Sequence, residues 1–183
     1  MVILVKIEIQ IKNNNKMNVE MINKNAKLSE HFSLGELTKT SAKGLDNTPN
    51  HAAVLNLKNL CEGWLEDLRF SYNELYCLKP GEDYETSENA EPIIINSGFR
   101  SEAVNKAIGG VSGSNHLTGC AVDIKCLGIE QALRYAVILL DIADGTRRDF
   151  DELLIERSPR GTYWVHFAVR PSNNRRKILF IQT

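Results

Sequence analysis

The chain has 183 residues, 43% of them apolar, and a formal net charge of −1 with acids and bases interspersed. This length suits one domain with a sizeable core, and the charge balance gives no basis for electrostatic capture of nucleic acid or an anionic membrane. No apolar stretch approaches the roughly 20 residues needed to span a bilayer.

In chain order, Met1–Ile9 is greasy but lacks a basic leader and a small-residue cleavage site. It reads as a strand, with alternation from Val5 to Ile11, or as an upstream extension, rather than as a signal peptide. With no export signal recognised, the four cysteines (Cys61, Cys77, Cys120 and Cys126) are expected to be reduced thiols. Asn13-Asn14-Asn15-Lys16 is a polar break, and residues 1–27 are set apart as an extension of unknown role preceding a single domain over 28–183.

Ser33, with Glu36 three residues on, has capping-box spacing for a short helix. Asp46-Asn47-Thr48-Pro49 is turn chemistry. From His51 to Leu68, apolar residues at Val54, Leu57, Leu60, Cys61, Trp64, Leu65 and Leu68 form one helical stripe. Lys79–Pro92 is an acidic, polar surface loop, and Pro92–Asn96 a short buried strand. Ser101 caps a helix from Glu102 to Ile108 that Gly109-Gly110 ends. Ala121–Lys125 reads as a strand and Ile129–Asp144 as a helix. Phe150–Glu156 and Tyr163–Val169 read as two antiparallel strands, with a further strand at Ile178–Ile181. The basic run Arg175-Arg176-Lys177 reads as a solvated chain end. Helices followed by strands give an α+β class: a small antiparallel sheet with helices packed on one side.

The chemistry concentrates in Ser112–Asp123, Ser-Gly-Ser-Asn-His-Leu-Thr-Gly-Cys-Ala-Val-Asp, where His116 and Asp123 stand seven residues apart. A second imidazole, His166, lies in the apolar run Tyr163–Val169. Two histidines and one carboxylate suit a catalytic zinc ion with a fourth position left for water. Cys120, inside the loop, reads as a buried filler rather than a ligand. A hydrolytic site of this kind also needs a carboxylate that moves protons and a donor for the oxyanion. Glu156 is the first choice for the base, with Glu152 and Asp151 as alternatives. Strand alternation puts Asp151 on the face opposite the two glutamates. Arg100 is the candidate for steadying an oxyanion or holding a carboxylate, and Ser114 for a hydrogen bond to substrate.

Ser114–Asp123 resembles the Ser-x-His-x-x-Gly-x-Ala-x-Asp signature of the zinc D-alanyl-D-alanine carboxypeptidases and dipeptidases, with their phage endolysin relatives, whose fold is shared with the amino-terminal domain of hedgehog proteins. Ile95–Ser101 with Val104-Asn105 is similar to the segment preceding that signature, and Trp164-Val165-His166 to the closing ligand motif. Phe32–Leu37 and Gly44–Pro49 resemble the start of the small single-domain branch. The resemblance implies one Zn²⁺ on His116, Asp123 and His166, with Arg100 and Ser114 contacting substrate. It also implies hydrolysis of peptide bonds in bacterial peptidoglycan, of carboxypeptidase or endopeptidase type. A monomer is expected, made in the cytoplasm because no signal peptide is recognised and acting at the wall if released. In the dipeptidase branch an acid stands three residues before the last histidine; here that residue is Tyr163, and Glu156 answers to the arrangement in which the glutamate ends the preceding strand. The alternative is a metal-containing domain without catalysis, serving wall binding or phage assembly.

Overall fold

The computed structural model describes residues 23–182; the strand expected over Val5–Ile11 lies outside them. Helix starts follow the caps. Ser33 accepts from Glu36 N at the head of α1 (Leu34–Leu37), and Asn50 accepts from Ala53 N at the head of α2 (His51–Leu60). The stripe expected over 51–68 belongs to a longer rod, because α2 runs through a π-helical stretch, Cys61–Leu65, into α3 (Glu66–Tyr76). At that wide turn Arg148 donates to the Gly63 carbonyl and to Asp67 Oδ2 (2.7 Å), with its guanidinium 4.9 Å above the Trp64 ring. A carbonyl drawn to a partner outside the rod is a cause of such a bulge.

After the 79–92 loop come β1 (Ile95–Ser97), α4 (Glu102–Ala107), β2 (Ala121–Cys126), α5 (Ile129–Thr146), β3 (Glu152–Arg157), β4 (Tyr163–Ala168) and β5 (Lys177–Gln182). They build a five-stranded sheet in the order β1-β2-β4-β3-β5. The α+β architecture is the one expected. Pairing is antiparallel from β1 to β3, but β5 joins β3 in parallel. Residues 169–176 carry the chain back past the hairpin, and Arg176 N and Lys177 N dock on the carbonyls of Phe150 and Asp151, each at 3.0 Å. None of the helices among the described residues is long and apolar enough to cross a membrane.

The two faces of the sheet differ completely. Val122, Ile124, Leu153, Val165 and Phe167 turn one way and pack with α2, α3 and α5 into the core. Trp64 anchors it, 5.0 Å from the Phe167 ring and 6.5 Å from Phe150. The intervening residues, Asp123, Glu152, Leu154, Glu156, Trp164 and His166, turn the other way and line a cleft. The register sets Asp123 directly opposite His166, and His166 opposite Leu154.

Candidate metal centre and its cleft

The segment before β2 explains the spacing of the motif. Ser114 Oγ accepts from His116 N (3.3 Å) and caps a 3-10 turn over Asn115–Thr118, which puts His116 in its first turn. Gly119 ends the turn with φ +71°, and a Cβ there would meet the Ala53 carbonyl oxygen at 2.4 Å, so only glycine closes the loop against α2. The chain then enters β2, whose third residue, Asp123, points back under the histidine.

His116 Nε2 lies 3.2 Å and His166 Nδ1 2.9 Å from the same oxygen, Asp123 Oδ1. The ligand atoms of these three residues all fall within 4.8 Å of one another, and all three residues are buried. The outward nitrogens are engaged as well. His116 Nδ1 donates to the Gly98 carbonyl at 2.6 Å, and His166 Nε2 stands 3.4 Å from Glu152 Oε2. Gly98 is itself pressed against the Leu37 carbonyl, where a Cβ would sit 2.3 Å from the oxygen. Protons on the outer nitrogens leave the inner ones as lone-pair donors. Two such donors and a carboxylate oxygen in one buried space could hold a metal ion, and neutral imidazole and carboxylate are donors that suit zinc.

The electrostatics agree. Burial alone would raise the Asp123 carboxyl, but His116 and His166 hold it well below the ordinary carboxylate range. Burial alone would lower His166, yet its contacts with Asp123 and Glu152 carry it up to about 9. Without an ion, the centre therefore keeps a proton in the cation's place.

Arg100 ion-pairs with the outer oxygen, Asp123 Oδ2, and its Nε donates to Ser97 Oγ at 2.8 Å. Arg100 and Ser114 both line the cleft, whose volume is about 720 Å³, within the range of small-ligand sites. The three carboxylates considered for the base sit in different surroundings. Asp151 is fully buried and clamped by Arg170 (2.9 Å) and Arg175 (2.6 Å), away from the ligand atoms. Glu152 is bound on both oxygens, and the contact with His166 draws its carboxyl down to about 2. Glu156 faces the cleft, enters no hydrogen bond or ion pair among the described residues, and has its pKa raised by burial. Cys120 is buried and stands outside the ligand group, with its thiol pushed up by burial. Tyr163 packs against the core rather than in the cleft.

The basic run 175–177 is not the solvated chain end expected from sequence. Arg175 and Lys177 line the cleft and ion-pair with Glu152 at 2.9 and 3.3 Å, while Arg176 turns to Asp144 and Asp149. Asn115, also missed by the sequence reading, donates to Asp151 Oδ2 (2.8 Å) and Glu152 Oε2 (3.0 Å). The only sequence signal for it was its place beside His116.

The α+β domain thus places a buried His-Asp-His group, one that could hold a metal ion, at the floor of a cleft. Residues 82–144 match the model of the Peptidase M15 family, about a third of the chain. The match includes Arg100, His116 and Asp123 and stops before the glutamates and His166. Over those residues the chain is similar to that family of peptidases. A comparison with curated proteins gives no match.

Proposed function

We propose that this chain is a zinc-dependent peptidase that hydrolyses peptide bonds in bacterial peptidoglycan, as a carboxypeptidase or endopeptidase. The observation that carries the reading is the convergence of His116 Nε2, Asp123 Oδ1 and His166 Nδ1 at the floor of a cleft that Glu156 also lines. When bound by these three residues, zinc supplies Lewis acidity toward a water and a peptide carbonyl.

The protein's own groups do the rest. Glu156, desolvated at the cleft lining, accepts a proton from the attacking water and returns it to the leaving amine nitrogen as the C–N bond breaks. Burial raises its pKa, the direction that suits a group which must both take and give a proton. Arg100 holds the outer oxygen of Asp123 and offers its remaining N–H groups to the oxygen on which charge develops. Ser114, at the cleft wall, orients the substrate backbone. Leu154, Trp164 and Ile181 add apolar surface to the cleft lining.

The test is to incubate the zinc-loaded protein with purified peptidoglycan fragments and to follow new amino and carboxyl termini by mass spectrometry. New termini, absent after chelation and restored by zinc, are the expected result. Intact fragments with zinc bound would instead support the wall-binding alternative, and the mass of any product separates a carboxypeptidase from an endopeptidase.

A further inference from the structure

Glu152 is the most heavily engaged carboxylate on the cleft face. Its Oε2 lies 3.4 Å from His166 Nε2 and 3.0 Å from Asn115 Nδ2, and its Oε1 lies 2.9 Å from Arg175 Nη2 and 3.3 Å from Lys177 Nζ. Its side chain is only 14% exposed. The four partners come from three parts of the chain: His166 from β4, Asn115 from the turn that carries His116, and Arg175 and Lys177 from the approach to β5 and its start. Arg175 is fixed in turn, since its Nε and Nη2 grip the fully buried Asp151 at 2.8 and 2.6 Å.

We infer that Glu152 is a positioning residue that sets the orientation and tautomer of His166, and that Arg175, with Lys177 and Asn115, holds Glu152 in place for this task. The inference rests on the reading of His116, Asp123 and His166 as a metal centre. A carboxylate held by four positively charged or N–H groups is a weaker proton acceptor than Glu156, which separates the two duties. A carboxylate behind a ligating imidazole keeps the proton on the outer nitrogen, aims the inner lone pair and raises ligand basicity. Because β5 pairs with β3 in parallel, the carboxy-terminal strand becomes part of the metal centre although it supplies no ligand.

The experiment measures zinc affinity by chelator competition and the visible spectrum of the cobalt-substituted full-length chain. It compares the wild type with Glu152→Gln, Glu152→Ala, Arg175→Gln and Arg175→Lys, and uses Glu130→Gln, on the exposed side of α5, as the control carboxylate. The expected losses of zinc affinity are about 10-fold for Glu152→Gln and up to about 100-fold for Glu152→Ala. Arg175→Gln should weaken binding in the same direction by less, with partial recovery in Arg175→Lys. Cobalt spectra should shift in the Glu152 and Arg175→Gln variants but not in Glu130→Gln. A role confined to stability would lower the unfolding temperature and leave the cobalt spectrum of the folded fraction unchanged. The inference is overturned if the folded Glu152 variants bind zinc within twofold of wild type with unaltered spectra, while His116→Ala abolishes binding. If the wild type takes up no zinc, or His116→Ala still binds it, the metal centre itself is wrong and the inference falls with it. Should Glu152→Ala fail to fold, the isosteric Gln and the Arg175 pair decide the question.

Discussion

The two faces of one sheet have opposite duties. On β2, β3 and β4 the residues Val122, Ile124, Leu153, Val165 and Phe167 are buried and apolar, and they lock the sheet to the helices. One step along the same strands, Asp123, Glu152, Glu156 and His166 form a charged surface in a cleft. Because side chains alternate at a period of two, a slip of one residue would exchange the faces and destroy both. The apolar face therefore fixes the register, and the register brings Asp123 opposite His166. The site's accuracy is borrowed from the core, while its chemistry is separate from it.

That separation can be broken from either side. The largest expected effect is on turnover: Glu156→Gln should lower kcat by about 10²–10⁴ while leaving zinc content and unfolding temperature near wild type, in steady-state kinetics on peptidoglycan fragments. Unchanged turnover would remove Glu156 from the mechanism. On the opposite face, Phe167→Ala deletes a fully buried ring against Trp64 and Phe150, and should cost about 3–5 kcal/mol in denaturant unfolding. At temperatures where this variant stays folded, it should still bind zinc; a selective loss of zinc by the folded fraction would show that the faces are not separable.

A smaller effect is set by pH. His166, carried up to about 9 by Asp123 and Glu152, retains a proton that an incoming ion must displace. Its pKa in the folded chain exceeds that in the unfolded chain. The metal-free protein therefore draws full stability from this group below the ordinary histidine value and loses it as pH rises through about 9. Zinc affinity runs the other way: it should rise about tenfold per pH unit up to that value and then level off, as read from competition titrations in buffers of increasing pH. A flat profile would mean that no proton is held there.

Much of this was legible in sequence because it is local. Ser114, His116, Gly119 and Asp123 belong to one turn-and-strand unit, and the parity of β3 puts Glu152 and Glu156 on one face. Parity does not say which glutamate meets His166. That depends on the cross-strand register, in which Leu154 faces His166 and the two glutamates flank it diagonally. Arg175 and Lys177 resembled a chain end because the contact that gives them a role is a parallel pairing of β5 with β3, made after the chain has passed the intervening hairpin. The π-helical stretch at Cys61–Leu65 was hidden for a similar reason: Arg148, which engages Gly63, lies 85 residues away in sequence.

The central claim is that His116, Asp123 and His166 hold one ion together. Elemental analysis of the purified, zinc-equilibrated and dialysed chain tests it most directly, beside an Asp123→Ala variant whose folding is verified by circular dichroism. The account predicts about one zinc per wild-type chain and almost none in the variant; a wild type without zinc, or a variant that keeps it, would contradict it.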